Sequence, residues 1–235
     1  MKKSRDIRLL AILIIILFAI NYPFLDNALK KFLTESETIN VDRIIDGDTI
    51  ESNGTSIRLL GINTPERGEF LYQEAKEFLG SRILNKTVVL KFGKDRYDKY
   101  DRTLAYVFLD GENINLELVE NGFANYYFYS GKDSYSSSLT DAWNNCINKN
   151  VNLCEKSKDV CAQCISVNSS SVINNCSFSC NISNWQIKGE GREKFIFQER
   201  VLSSGSDSKF ELDLTNSGGT IFLRDEDGNL VVWGN

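Results

Sequence analysis

The hydrophobic pattern between residues 39 and 128 changes period several times, and this feature constrains the fold more than any other. Short runs in which apolar and polar residues alternate predict strands, because successive side chains of a strand point to opposite faces. The pairs Asp46-Gly47 and Asn53-Gly54 are tight-turn signals between the first runs. Five strands are predicted: Val41–Ile45, Thr49–Glu51, Ser56–Ile62, Thr87–Phe92 and Thr103–Leu109.

Two stretches of the same region have a helical period instead. Within Phe70–Leu84 the apolar residues recur at i, i+4, i+7 and i+8 from Leu71, so they share one helix face. Asn113–Asn121, followed by Gly122, predicts a second helix. Short strands interrupted by helices are typical of a small closed barrel of the OB type. The predicted fold class is therefore mainly β with helices, built on a five-stranded OB barrel.

The N-terminus has the pattern of an export signal. Lys2, Lys3, Arg5 and Arg8 precede an uninterrupted apolar run over residues 9–20, the length of a signal-peptide core. Extended to Leu25, the run approaches the length of a membrane span, and no clear cleavage site follows it. We expect a transmembrane anchor with its basic end inside. A cleaved secretion signal and a buried core helix are the alternatives.

All six cysteines fall between Cys146 and Cys180. An even number of cysteines beyond an export signal predicts disulfides, since exported proteins fold in an oxidising compartment. The alternative is a four-thiolate zinc site, because Cys161-x-x-Cys164 is followed by Cys176-x3-Cys180. Six cysteines can pair in many ways, and the sequence does not choose among them.

The chain has a net charge of −5 and contains no histidine. Imidazole is therefore excluded as a catalytic base or metal ligand, and a bound metal would be held by oxygen or sulfur. The chain is not a polycation either. Binding to nucleic acid would need a local basic groove or a bound cation.

Three polar segments lie at the ends of predicted strands: Asp46–Thr49 (DGDT), Arg58–Glu66 (RLLGINTPE) and Asp98–Arg102 (DKYDR). Polar groups at strand ends around a barrel mouth are where functional sites tend to form. Each charge taken alone is better interpreted as part of a solvated turn or a surface ion pair. Their occurrence together, and in this order, is the informative observation.

The order DGDT, R-x-x-G-I-x-T-P-E and D-K-Y-x-R-x-L-A-Y resembles the staphylococcal nuclease family. The resemblance covers roughly residues 39–129, and family-like helical sequence reaches to about residue 149. It implies an OB-fold barrel and a calcium-dependent nuclease that hydrolyses phosphodiester bonds of DNA, of RNA or of both.

The resemblance implies that Asp48, Asn63 and Thr64 hold one calcium ion, Thr64 through its backbone carbonyl. Calcium accepts carboxylate, carbonyl and water oxygens in flexible geometry, so this set is chemically reasonable. The family has a carboxylate where this chain has Asn63. Because calcium affinity depends on ligand charge, we expect weaker binding than at a two-carboxylate site, or a contribution from Asp46.

The same resemblance implies that Glu66 positions or deprotonates the attacking water, while Arg58 and Arg102 bind the scissile phosphate. Lys99 and Tyr100 would contact a neighbouring phosphate of the substrate. Hydrolysis adds negative charge to the phosphoryl oxygens, and guanidinium groups bind such oxygens bidentately.

Two further features differ from the family or stay ambiguous. Arg67–Glu69 leads almost directly into the predicted helix, where the staphylococcal enzyme has a longer loop. Tyr126, Tyr127 and Tyr129 are candidates for the family's base-stacking tyrosine, and their spacing does not choose among them.

Residues 176–235 alternate apolar and polar positions between turn pairs, which predicts a small all-β sandwich. The order N-W-x-I, F-x-F, L-x-L-x-N-x-G-G and D-x-x-G-N-L-V resembles the lamin-tail domain, which has an immunoglobulin-like fold. In that family the domain usually serves attachment or binding. No catalytic constellation is visible in it, and the sequence does not identify its partner.

The expected organisation is a signal or anchor with a spacer over residues 1–36, the nuclease-like domain over 37–149, a Cys-, Ser- and Asn-rich linker over 150–175 and the sandwich over 176–235. The predicted function is that of an extracytoplasmic, metal-dependent endonuclease attached to the membrane by its N-terminal helix. The alternative, favoured by Asn63 alone, is a barrel that has lost its activity and only binds nucleic acid or protein.

Overall fold

The computed structural model describes residues 36–129, 131–212 and 219–234. The N-terminal apolar run, expected to be a membrane anchor, lies outside these residues. Within them, no helix is both long and apolar enough to cross a membrane.

The described residues before position 130 form nine strands. They are β1 (Ser36–Asn40), β2 (Arg43–Asp46), β3 (Thr49–Ser52), β4 (Thr55–Leu59), β5 (Ile62–Asn63), β6 (Thr87–Tyr97), β7 (Thr103–Leu109), β8 (Glu112–Asn113) and β9 (Asn125–Tyr126). Seven of these form one sheet in the order β1-β6-β7-β4-β3-β2, with β8 paired to β7. β4 and β7 run parallel, and the other pairs of this sheet run antiparallel. The arrangement is consistent with the OB-fold predicted from the sequence.

The predicted strand Ser56–Ile62 is divided in the structure. β4 ends at Leu59, and β5 begins at Ile62 and pairs with β9 instead. Gly61 lies between them with φ at +73°, a conformation that a side chain would strain. The short β5–β9 pair therefore brings the Arg58–Glu66 segment beside the cluster of tyrosines.

Three helices lie among the described residues: α1 (Tyr72–Ile83), α2 (Ile114–Glu120) and α3 (Ser136–Lys149). The side chain of Asn113 caps α2 by accepting hydrogen bonds from two backbone N–H groups of its first turn. At the start of α3, the carboxylate of Asp133 accepts hydrogen bonds from the N–H of Tyr135 and from the hydroxyl of Ser136. The core of this part lies between the sheet and the helices, with Leu79, Ile83 and Trp143 fully buried.

The second part of the chain is all β. Its strands are β10 (Ile165–Val167), β11 (Ser171–Asn174), β12 (Cys180–Asn181), β13 (Gln186–Gly189), β14 (Lys194–Ile196), β15 (Val201–Leu202), β16 (Asp207–Lys209), β17 (Ile221–Arg224) and β18 (Leu230–Gly234). They form sheets in the orders β14-β13-β17-β18, β10-β11-β16 and β12-β15. Trp185, Phe197 and Leu223 lie in a second core between them. The resemblance to a lamin-tail domain stays a prediction.

The segment 150–175, expected to be a linker, contributes to this second part. Its strands β10 and β11 pair with each other, and β11 also pairs with β16. The expected disulfides are confirmed: Cys146 pairs with Cys154, Cys161 with Cys180, and Cys164 with Cys176. All six cysteines are therefore used, which excludes the zinc alternative.

The two parts pack directly on each other. Phe222 of β17 contacts the rings of Trp143 and Tyr126, at centroid distances of 5.2 and 5.9 Å. Arg224 is buried, which lowers its pKa to about 10, and it donates to the carbonyl oxygen of Leu153. The ring contacts are apolar and the hydrogen bond of Arg224 is buried. Together they hold the second part against the first.

Candidate active site

Four of the predicted site residues meet at one end of the first sheet. Asp48 lies in the turn between β2 and β3, and Arg58 on β4 is the partner of Thr49 in the sheet register. Arg58 Nη2 forms an ion pair with Asp48 Oδ2 at 2.8 Å and donates to Asn63 Oδ1 at 3.2 Å. The backbone N–H of Thr64 donates to the same Asp48 oxygen at 3.1 Å. Asp48, Arg58, Asn63 and Thr64 are all buried.

Asp46 adds a second acidic group to this cluster. Its carboxylate accepts a hydrogen bond from the backbone N–H of Asp48 at 3.2 Å. Burial, together with the nearby negative charge of Asp48, raises the pKa of Asp46 to about 6. Two crowded carboxylates of this kind are stabilised by a bound cation, which removes their mutual repulsion.

The atoms available here as metal ligands are oxygens, which suit a hard divalent cation such as calcium or magnesium. Among the described residues, no group of three His, Cys, Asp or Glu side chains is arranged to hold a metal. A cation at this position would therefore depend on two carboxylates at most, together with amide, backbone and water oxygens. The residues fit such an ion as a site of low ligand charge.

The third motif, Asp98–Arg102, borders the same region across a cavity of about 430 Å³. Lys99, Tyr100 and Arg102 line this cavity together with Arg58 and Asn63. Arg102 follows the turn after β6, and its Nε donates to Asp98 Oδ2 at 2.8 Å. Although burial raises the pKa of Asp98, hydrogen bonds from Arg102 and from the N–H of Tyr100 outweigh it and lower that pKa. Asp98 thus orients the guanidinium along the wall of the cavity.

The structure separates the three candidate tyrosines. Tyr127 and Tyr129 line the cavity, and 58% of Tyr129 is exposed. Tyr126 is buried and its hydroxyl lies 3.1 Å from Thr220 Oγ1 of the second part. Tyr127 and Tyr129 are therefore the ones placed to stack against a ligand in the cavity.

Glu66 faces a residue that the sequence did not suggest. Its Oε1 forms an ion pair with Nε of Arg192 at 2.7 Å, and its backbone N–H donates to Glu69 Oε2 at 2.8 Å. Arg192 also lines the cavity that contains Arg58 and Arg102. Glu66 is thus joined to the cavity through a side chain from the second part of the chain.

Arg192 lies between β13 and β14, in a segment that begins at the last residue of β13 and that we call the 189–193 loop (Gly189–Glu193). Asn63 Nδ2 donates to the carbonyl of Gly191 at 3.1 Å, and the backbone N–H of Phe128 donates to the buried Glu190 at 3.0 Å. Sequence reasoning missed this loop. The available signal was a glycine-flanked turn with basic residues around it, K-G-E-G-R-E-K over positions 188–194.

Comparison with known proteins agrees with the motifs. The family model described as staphylococcal nuclease homologue matches residues 56–156. A thermonuclease of Staphylococcus intermedius is 33% identical over 169 residues, which cover 66% of this chain and 100% of that protein. A thermonuclease of Staphylococcus hyicus is 31% identical over 157 residues, 60% of this chain and 92% of that protein. Endonuclease YncB of Bacillus subtilis is 37% identical over 113 residues, 41% of this chain and 52% of that protein.

Proposed function

The chain belongs to the staphylococcal nuclease family, and we propose that it is an extracytoplasmic, calcium-dependent nuclease that hydrolyses phosphodiester bonds of DNA, of RNA or of both. The observation that carries this proposal is the placement of Arg58 and Arg102 on one cavity, next to the acidic pair Asp46 and Asp48. A phosphodiester needs cationic groups on its oxygens and a site for a cation nearby.

Each residue has a specific task in this proposal. Arg58 and Arg102 bind the scissile phosphate and stabilise the charge that develops on its oxygens during attack. Their guanidinium groups stay charged and are already oriented by Asp48 and Asp98, so little reorganisation is needed at the moment of reaction. Glu66 positions the attacking water and accepts its proton.

Asp48, Asn63 and Thr64 are the proposed calcium ligands, and Asp46 compensates for the missing carboxylate at position 63. The chemistry that a divalent cation supplies at such a site is neutralisation of phosphate charge. Lys99 and Tyr100 contact a neighbouring phosphate. The exposed ring of Tyr100 lies beside Lys99, with Lys99 Nζ 5.1 Å from the ring centroid.

A contact of Asn63 argues against the catalytically inactive alternative. That alternative rested on Asn63, but the amide of that residue donates to Gly191 of the second part, which a carboxylate cannot do. An asparagine at this position is therefore compatible with an active site that is completed by the second part.

The decisive experiment uses the full chain in detergent, incubated with single-stranded DNA, duplex DNA and RNA. We expect cleavage with added calcium and none with excess chelator. Magnesium alone in place of calcium tests the identity of the ion. Absence of chelator-sensitive cleavage of all three substrates would reject the proposed function.

Export is part of the same proposal. It is supported by the basic and apolar N-terminal pattern and by the three disulfides, because structural disulfides persist in oxidising compartments. Protease accessibility of the protein on intact cells, compared with its recovery in the medium, distinguishes an anchored from a secreted form. Recovery in the cytoplasm with reduced cysteines would contradict export.

A further inference from the structure

The ion pair between Arg192 and Glu66 differs from an ordinary surface salt bridge in its surroundings. The side chains are 52% and 38% exposed, and a pair at that exposure usually contributes less than about 1 kcal/mol to stability. Such a weak contact does not by itself account for the position of Arg192 beside Glu66, the proposed catalytic base. The explanation lies in the loop that carries Arg192.

The 189–193 loop is fixed from both sides. The side chain of Glu190 is almost completely buried, at 1% exposure, and accepts the N–H of Phe128, while the carbonyl of Gly191 accepts the amide of Asn63. On the other side, the strands that flank the loop supply Lys188 and Lys194, whose ammonium groups lie 3.0 and 2.7 Å from the carboxylate oxygens of Glu69. These contacts fix the position of the loop that carries Arg192.

The charged side chains that line the cavity indicate which kind of ligand it binds. Six cationic side chains line it: Arg58, Lys94, Lys99, Arg102, Lys132 and Arg192. Four carboxylates line it as well: Asp95, Asp98, Asp133 and Glu193. The cations therefore outnumber them by two. The balance favours an anionic ligand, and Arg192 is the cation that comes from the second part.

The guanidinium of Arg192 has donors to spare. An arginine carries five N–H donors in a planar fork, and the contact with Glu66 is made through Nε. A phosphate oxygen in the cavity can be bound by the remaining donors, since guanidinium groups bind phosphate bidentately and remain charged at all relevant pH values.

We propose that Arg192 is a substrate-binding residue of the nuclease site, a third arginine that binds a phosphate of the nucleic acid and is supplied by the second part of the chain. Its ion pair with Glu66 places this guanidinium beside the proposed base. In this view the second part completes the substrate-binding cavity through the 189–193 loop. The inference rests on the proposed function, because it assigns a further residue to the same substrate.

The test compares Arg192→Ala and Arg192→Lys with the wild type, with Arg200→Ala as the matched control. Arg200 is exposed on the same part of the chain and does not line the cavity. We expect Arg192→Ala to raise KM about tenfold, the effect of one charge-assisted hydrogen bond, and to change kcat less. The KM of Arg192→Lys should lie between those of the wild type and Arg192→Ala, because lysine keeps the charge but lacks the planar guanidinium.

A second measurement reports binding without cleavage. The affinity for a labelled single-stranded oligonucleotide, measured with chelator at several salt concentrations, should fall in Arg192→Ala. The slope of log affinity against log salt should decrease by about 0.7, the value for one phosphate contact on a single strand. Thermal unfolding of each variant shows whether the fold is retained.

The outcomes separate the two proposals. If the wild type does not cleave nucleic acid, the proposed function fails. If the wild type cleaves and Arg192→Ala matches Arg200→Ala in KM and salt slope, only the role of Arg192 is overturned. A higher kcat in Arg192→Ala with unchanged KM would also overturn it, because Arg192 would then mask Glu66 and inhibit the enzyme.

Discussion

The side-chain amide of Asn63 donates a hydrogen bond to the carbonyl oxygen of Gly191 at 3.1 Å, although 128 positions separate the two residues. The other end of the same amide accepts from Arg58 at 3.2 Å. Asn63 thus connects a proposed phosphate-binding arginine with a loop of the second part. A carboxylate at this position would place two oxygen acceptors opposite each other. The identity of residue 63 is therefore coupled to the docking of the 189–193 loop.

Replacing Asn63 by Asp should have two opposite effects. The added negative charge should lower the calcium concentration needed for half-maximal cleavage. In chelator, the same variant should be less stable by about 1–3 kcal/mol, because the Gly191 carbonyl loses its donor and faces a carboxylate. Cleavage as a function of calcium and urea unfolding in chelator measure the two effects.

Asn63→Ala is the control for this substitution, since it removes the donor without adding charge. It should lose stability in chelator but should not need less calcium. If Asn63→Asp changes neither the calcium requirement nor the stability, residue 63 is neither a ligand nor a link to the loop.

Glu69 should make the docking of the second part dependent on pH. Burial raises the pKa of this carboxyl, but the charges and hydrogen bonds of Lys188 and Lys194 outweigh burial and lower it from 4.5 to about 2. A lowered pKa stabilises the folded state above the unfolded value, and this stability is lost as pH falls from about 4.5 towards 2. Glu69→Gln should therefore cost on the order of 2 kcal/mol at pH 7 and much less near pH 2.

Urea unfolding of the Glu69→Gln variant between pH 2 and 7 checks this expectation. The matched control is Glu226→Gln, an exposed residue of the second part. It should follow the wild type across the whole range. A constant difference between Glu69→Gln and wild type at every pH would contradict the ion cluster as the cause.

The elements of the first sheet could be predicted because their signals are local. Thr103–Leu109 has the same bounds in the sequence prediction and in the structure, and β6 begins at Thr87 as expected. β6 then continues to Tyr97, five residues past the predicted end at Phe92. The pairing with β7 shifts register between Phe92 and Tyr97, so this extension depends on a partner strand and has no periodic signal of its own.

The site was only partly predictable for a similar reason. The three motifs place Arg58 and Arg102 on one cavity and Asp48 against Arg58, which the family resemblance of these motifs led us to expect. The contacts of Glu66 with Arg192 and of Asn63 with Gly191 join positions that are more than a hundred residues apart. They depend on how the second part packs on the first, which no spacing of residue types encodes.

Glu66→Gln and Arg102→Ala should each remove most of the activity while the protein remains folded. Loss of one preorganised donor to the phosphate typically lowers kcat by about 10²–10³, and loss of a positioned base by about 10²–10⁴. Initial cleavage rates at saturating calcium and substrate measure this loss. Arg43→Ala is the control, since 64% of its side chain is exposed and its partner is Glu51, outside the site. A decrease of less than about tenfold in either site variant would remove that residue from the proposed mechanism.

Asp46 should link calcium binding to pH. Burial and the charge of Asp48 raise its pKa from 3.8 to about 6, so the folded protein holds this proton more tightly than the unfolded chain. Without a cation, the contribution of Asp46 to stability is therefore lost as pH rises from about 3.8 through about 6. Calcium and the proton compete for the same carboxylate pair, so the affinity for calcium should fall when pH drops below about 6.

Asp46→Asn separates these two effects. In chelator at pH 7.5 the variant should unfold at a temperature roughly 2–4 °C above the wild type, the shift expected for about 1 kcal/mol in a protein of this size. At pH 4 the two should unfold at similar temperatures, because Asp46 is then largely protonated in the folded wild type. With saturating calcium at pH 7.5 the order should reverse, since the wild type gains a ligand charge that the variant lacks. Scanning calorimetry under these three conditions tests the account. A variant that is as strongly stabilised by calcium as the wild type would show that Asp46 does not contribute to the cation site.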